Sequence, residues 1–360
     1  VHNKTFVAVA AGLCLAALPA LTGCGSGGTV KATDAKTVTL VSHDSWAVSK
    51  NVLEDFEKRS GYKVRVLKDG DAGQAVNKAL LTKDNPQGDV LFGVDNTLLS
   101  RALDNGLFQP YRAKDSALVL PPYRVDQDRH RVTPVDTGDI CVNYDKAYFS
   151  EHKLTPPRTF ADLADPRYKN LLVTENAATS SPGLGFLLGS AAKFGDDRWP
   201  DYWKKLKANG VKVVDGWEQA YYQEFSGSSE GRKAGGDRPL VVSYASSPPA
   251  EVIYAKKRPA TAPTGVSAGT CFRQTEYAGL LSNARNAKGG KALLDFLLSR
   301  EFQDDMPLNM FVYPVRKGAQ VPPEFVKYGP QAADPQILAP DKIAADRDQW
   351  VKTWTSLVLK

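Results

Sequence analysis

Two periodicities alternate along this chain. The apolar run TVTLVS at residues 37–42 reads as a buried strand, and residues 45–60 follow with Val48, Val52, Leu53 and Phe56 at helical spacing and Gly61 as a stop. YKVRVL is the next strand, residues 74–81 the next helix and DVLFG the third strand. A helix carrying Leu98, Leu99, Ala102 and Leu103 then ends near Gly106. This alternation predicts a parallel α/β sheet.

After a Pro- and charge-rich stretch at residues 111–134, a second set begins. DICVNYD, NLLVTE, a helix from Pro182, GVKVVDG, a helix from Glu218, PLVVSYA and a helix from Pro249 describe a second lobe of the same kind. TCFRQTEYAGLL reads as a further strand, followed by a helix near residues 291–298, the segment MFVYPV, and a helical tail with Trp350 and Trp354. SGSSEGRKAGGDRP reads as a loop.

Two α/β lobes linked by several crossings suit a hinged pair that closes on a small ligand, with the carboxyl ends of the strands facing the cleft. Residues just after strands are therefore candidates: 43–46, 69–73, Asp95, Ser180, Ser181, Gly216, Trp217 and 244–248. Within TSSPGLGFLLGSA, Ser180 or Ser181 can cap the helix, Pro182 suits its first turn, and Gly183 and Gly185 permit close approach of another group. Such a mouth offers free N–H donors to a polar or anionic ligand group.

Composition narrows the class. A chain of 360 residues that is 42% hydrophobic and 24% charged can bury a sizeable core and divide into two lobes. Its net charge of +6 comes from basic and acidic residues that are interspersed, which gives no nucleic-acid-binding face. The four histidines, at positions 2, 43, 130 and 152, are scattered, so no metal-ligand cluster is visible.

The first residues carry Lys4, an apolar run over 6–21 too short for a comfortable membrane span, and then Leu21-Thr22-Gly23-Cys24 before a Gly/Ser-rich stretch. This is a secretory signal that resembles those of bacterial lipoproteins. The resemblance implies that residues 1–23 are removed, that Cys24 becomes the lipidated first residue, and that 24–35 form a flexible tether. Cys14 leaves with the signal, so Cys141 and Cys271 remain, in an exported compartment that permits a disulfide.

The segments DVLFGVDNTLLSRALDNGLF, SSPGLGFLL, DGWEQAYYQEF, LVVSYASSP and VYPV occur in that order across the mature chain. In this the chain closely resembles the thiamine-binding lipoproteins and periplasmic proteins of thiamine ABC importers, a branch of the type 2 periplasmic-binding-protein fold. That resemblance implies two α/β lobes joined by hinge strands: residues 36–139 with 273–312, and 140–272 with 313–360. It implies a monomer that captures thiamine or its phosphates, delivers it to a permease, and uses neither metal nor cofactor.

Carried across, the family's ligand contacts fall on Asp71 with Ala72, on Ser180 with Ser181, on Trp217, and on Tyr244, Ala245, Ser246, Ser247 and Pro248. Asp69 could replace Asp71, although spacing to Asn77 favours Asp71. His43 and Phe311 stand where relatives carry Tyr and Trp, and Ala250 where they carry Tyr, so the aromatic clamp is thinner. Asp71 would accept from the exocyclic amine, aromatic rings would stack on the ligand or face its cation, and the serine-capped helix would hold the hydroxyethyl or phosphate end. Type 2 receptors lay their hinge segments side by side, which implies a Cys141–Cys271 disulfide.

Two alternatives stay open. Thiamine-degrading transferases share the fold and use a cleft cysteine, for which Cys141, near Asp136 and Asp139, is the candidate; the formal G-x-S-x-G at residues 227–231 sits in a polar loop. Ferric-ion receptors of the fold use paired tyrosines, for which Tyr221 and Tyr222 are candidates, although adjacent helical side chains diverge by about 100°.

Overall fold

A computed structural model describes residues 36–329 and 331–360. The expected secretory signal, Cys24 and the expected tether lie outside the described residues.

Buried, β-branched β1 (Thr37–Ser42) starts the sheet, followed by α1 (Lys50–Ser60), β2 (Lys63–Lys68), α2 (Ala72–Leu81), β3 (Val90–Asp95), α3 (Leu99–Asp104) and the short β4 (Phe108–Gln109). β1 pairs in parallel with both β2 and β3. Helix α1 begins at Lys50, later than its spacing predicts. Trp46 is buried as part of a loop, and the Ser49 N–H donates to Asp305 Oδ2 at 2.8 Å, which leaves residues 43–45 free to line the cleft.

The 13-residue β5 (Thr133–Asp145) leads to α4 (Lys146–Glu151), α5 (Phe160–Leu163), β6 (Leu172–Glu175), α6 (Ser181–Phe194), α7 (Trp199–Ala208), β7 (Lys212–Val214) and α8 (Trp217–Gln219), which runs on through a π-turn at Ala220–Glu224. Next come α9 (Ser229–Lys233), β8 (Leu240–Tyr244), α10 (Pro248–Ile253) and the 18-residue β9 (Thr264–Leu281). The chain closes with α11 (Ala287–Leu297), α12 (Arg300–Met310), β10 (Tyr313–Pro314), α13 (Pro323–Tyr328) and α14 (Pro340–Val358).

The expected pair of parallel sheets is one mixed sheet, in the order β2-β1-β3-β9-β5-β8-β6-β7. β5 and β9 are long enough to belong to both halves, and they run antiparallel to each other and to their outer neighbours, β8 and β3. Ladder hydrogen bonding is therefore continuous from one lobe to the other. The segment expected as a polar loop holds α9, because Ser228 Oγ accepts the Gly231 N–H at 2.9 Å and caps a turn of helix. The structure adds α7, whose buried Trp199, Tyr202, Trp203 and Leu206 recur at helical spacing, and α12, which carries Pro307 in its interior.

Helices cover both faces. Val38, Leu40, Val90 and Phe92 pack with Leu293, Leu297, Phe302 and Met306 on one face of the first lobe, while Val173, Val241, Tyr221 and Phe225 form a cluster in the second. A larger cluster runs from Val76 and Ala102 to Trp203 and Trp354, so α14 packs against both α7 and α3. The buried Arg347 guanidinium donates to the Thr97 carbonyl after β3 at 3.4 Å, fixing that helix to the first lobe.

Cys141 on β5 and Cys271 on β9 form a disulfide, as the resemblance implies, with Cα atoms 4.2 Å apart. It lies where the β5–β9 register shifts between Ile140 and Val142. There the Val142 N–H donates to Thr270 Oγ1 at 2.8 Å, so a side chain replaces the ladder partner.

Candidate ligand-binding cleft

Between the lobes lies a cavity of about 290 Å³, at the small end of the range for small-molecule sites. Strand ends and helix starts build its wall: the loop after β1 supplies His43 and Asp44, the start of α2 supplies Asp71 and Ala72, α6 supplies Ser181, α8 supplies Trp217, and the end of β8 supplies Tyr244 and Ser247. Phe311 enters from the C-terminal end of α12 in a left-handed conformation (φ 58°), and Glu276 from the middle of β9. Ser180, Ala245, Ser246 and Pro248 stand outside the wall. Asp69 does too, in an ion pair with Lys78 at 2.5 Å.

Asp71 explains why α2, α6 and α8 converge. One of its oxygens accepts the Ala72 N–H at 2.6 Å and the Ser181 N–H at 3.3 Å; the other accepts Ser180 Oγ at 3.0 Å and the Trp217 N–H at 2.9 Å. A single carboxylate thus meets the N-termini of three helices, two of them from the other lobe, and each helix end favours negative charge. Burial pushes its pKa up, and these four donors pull it part of the way back. Gly73 lets the lobes touch: a Cβ there would stand 2.6 Å from the Thr179 carbonyl, which accepts the neighbouring Gln74 N–H at 3.1 Å.

The serine mouth is similarly engaged. Ser181 Oγ donates to Asp95, whose oxygens also accept Gln274 Nε2 at 2.9 Å and the Thr97 N–H at 2.9 Å. The close approach at Gly185 comes from Ile140 of β5, 2.3 Å from where a Cβ would be. Here, then, the donors expected to meet a phosphate meet carboxylates of the first lobe.

Trp217 is held from several sides. Its indole N–H donates to Ser243 Oγ at 2.8 Å, and Tyr221 stacks on it at 5.1 Å with planes 16° apart. At the rim, Tyr254 on the second lobe donates its hydroxyl to the Leu308 carbonyl and sets its ring against Phe311, 5.6 Å away edge to face. Tyr254 follows Ala250 by four residues, one helical turn on, so an aromatic ring occupies the rim although position 250 has none.

The electrostatics are one-sided. The wall carries Asp44, Asp71, Asp215, Glu218 and Glu276 and, among the described residues, no Lys or Arg. His43 adds no charge at neutral pH, because burial, helped by Lys68, pushes its imidazole down to about 4. Sequence reasoning missed Glu276, because it sits inside a strand and not after one. Its signal was Glu in an otherwise strand-like apolar run, TCFRQTEYAGLL.

The alternative chemistries lack their parts. Cys141 has no thiol, being bonded to Cys271. Tyr221 is buried with its hydroxyl 3.2 Å from Glu251 Oε1, its ring stands at 88° to that of Tyr222, and neither lines the cavity. The G-x-S-x-G match falls on the start of α9, not on a strand-to-helix elbow.

Two α/β lobes, a sheet continued through two long crossing strands, and an interlobe cavity define a type 2 periplasmic binding protein. The chain belongs to the family of bacterial extracellular solute-binding proteins, whose pattern matches residues 51–334. It is 28% identical to the thiamine-binding periplasmic protein of Salmonella typhimurium over 89% of this chain and 93% of that one. With the thiamine-binding periplasmic protein of Brucella suis it shares 26% identity over 88% and 91%. A solved periplasmic thiamin binding protein superposes with a TM-score of 0.77 at 25% identity, covering 89% of this chain and 96% of the other. Among the described residues no helix is long and apolar enough to cross a membrane.

Proposed function

We propose that this protein is the capture component of a thiamine importer: it binds thiamine between its lobes, carries out no chemistry on it, and hands it to an ABC permease. The observation that carries the reading is the cavity wall, where aromatic faces stand beside carboxylates with no Lys or Arg among the described residues. A flat ligand with a permanent positive charge matches that wall. Trp217, Tyr244 and Phe311 flank its rings, each face on the cation contributing roughly 0.5–2 kcal/mol. His43, whose Nε2 is buried without a hydrogen-bond partner, is a neutral group available to the aminopyrimidine. Ser181 and Ser247 border the ligand, with Ala72 beside them. Ser180, Ala245, Ser246 and Pro248 support the wall from behind. The thiamine-binding relatives point to the same ligand.

In this reading Cys24 carries the lipid that holds a monomeric receptor at the membrane. The lobes are residues 36–139 with 273–312, and 140–272 with 313–360. Asp71 belongs to the site by closing the lobes over the ligand.

Calorimetric titration of the mature domain with thiamine tests the proposal. One-to-one binding is expected, with a matching rise in melting temperature. No heat with thiamine, alongside another compound retained through purification and identified by mass spectrometry, overturns it.

A further inference from the structure

Asp95, Glu276 and Asp136 stand in one row across three neighbouring strands, since Glu276 on β9 is the direct cross-strand partner of both Asp95 on β3 and Asp136 on β5. Directly opposed residues share a face of the sheet, and like charges so placed repel. No Lys or Arg among the described residues pairs with any of the three. Asp95 is satisfied by donors from Thr97, Ser181 and Gln274. Asp136 is not: it is wholly buried, and no N–H or O–H reaches either of its oxygens. The group that can satisfy it is the Glu276 carboxyl, and only when one of the two carries a proton. Glu276 in turn lines the cavity, so this pair is the charge that faces an entering ligand.

We propose that Glu276 and Asp136 are the specificity-determining pair for a permanently cationic ligand, which on entry displaces to solvent the proton the pair shares. This rests on the thiamine reading and deepens it. In the exchange one carboxylic O–H bond breaks heterolytically, the proton passes to the buffer, and the thiazolium charge takes its place, so the net charge of the site is conserved. A neutral ligand offers no such compensation and leaves a second carboxylate buried and unpaired if it expels the proton.

The surroundings favour this exchange. His43, after β1, stands 3.5 Å from Glu276 Oε1 but stays neutral. Asp71 at the start of α2 and Asp95 on β3 add negative potential, and Tyr244 on β8 is uncharged because burial raises its phenol well above the ordinary range. Burial, with Asp95 nearby, pushes Asp136 up to about 7, and burial beside Asp136 raises Glu276 well above the carboxylate range. At neutral pH the empty pair therefore retains a proton that a neighbouring cation makes costly to keep.

The test is titration of the whole mature protein with thiamine at pH 7 in buffers of different ionisation enthalpy. Buffer-dependent heat corresponding to release of about one proton per thiamine is expected, with affinity rising from pH 6 to pH 8. Glu276→Gln should abolish the release and weaken thiamine at least about tenfold. Its ligand-free melting temperature should not fall, because the Gln amide can donate to Asp136 in place of the shared proton. Asp136→Asn should abolish the release as well. Thiamine binding by the wild type without proton exchange, or Glu276→Gln binding thiamine as tightly as wild type, overturns the inference and leaves the thiamine reading intact. Absence of thiamine binding overturns both.

Discussion

Two carboxylate sites face the same cavity from opposite situations. Asp71 accepts four hydrogen bonds from three helix N-termini and a hydroxyl, filling the lone-pair positions a carboxylate offers. Asp136 accepts none from any backbone N–H or hydroxyl, and the group facing it across the strands, Glu276, is another carboxyl. Burial alone therefore does not define a binding group. The satisfied carboxylate holds lobes together, and the unsatisfied pair awaits a charge from outside.

Replacing Asp71 by Ala should break that division most visibly. It leaves the N–H groups of Trp217, Ser181 and Ala72 without their acceptor, so the closed state should lose about 2–4 kcal/mol and thiamine affinity about a hundredfold or more. Titration combined with small-angle scattering checks this: the variant should remain open with thiamine present. If affinity falls while the liganded envelope stays closed, Asp71 is a ligand contact and not a clasp.

Thiamine monophosphate sharpens the comparison. The donors a phosphate would seek on α6 are held by Asp71 and Asp95, and the wall is acidic. The monophosphate should therefore bind about tenfold more weakly than thiamine at low salt, with the gap narrowing as salt rises. Competition titration at two ionic strengths measures it, and equal affinities would mean that the phosphate end escapes the wall.

The smallest effect concerns the empty protein. Asp136 keeps its proton in the folded state up to about 7, whereas an unfolded aspartate loses it near 4. Its contribution to stability is therefore fully present below the unfolded value and lost as pH rises through about 7. His43 acts in the opposite direction, but only below about pH 6.5, where an unfolded histidine gains a proton that the folded one refuses. Between pH 6.5 and 8 the carboxyl dominates, and ligand-free stability should fall by about 1 kcal/mol, a few degrees of melting temperature. Thermal scans should show this slope in wild type and lose it in Asp136→Asn.

How much of this was legible follows from where each residue sits. His43, Asp71, Trp217 and Tyr244 follow strands, and strand ends of an open α/β sheet face the cleft, so topology alone pointed to them. Glu276 and Asp136 lie within strands, and only the β3-β9-β5 order brings them into one row with Asp95. That order depends on pairings between residues more than 100 positions apart, which local periodicity does not encode. The engagement of Ser180 and Ser181 by Asp71 and Asp95 was hidden for the same reason, since it is made across the cleft. Sheet continuity escaped because strands of 13 and 18 residues read locally as shorter apolar runs.

The disulfide acquires a further meaning beside the acidic row. A ladder with a bulge has two nearby registers, and a slip of one residue turns every side chain to the opposite face. Once their shared proton has left, Asp136 and Glu276 repel across the strands, which favours any slip that would separate them. The Cys141–Cys271 bond lies at that bulge and ties the strands at one fixed phase. It acts as an alignment pin: the two carboxyls are kept facing each other whether or not the proton stands between them.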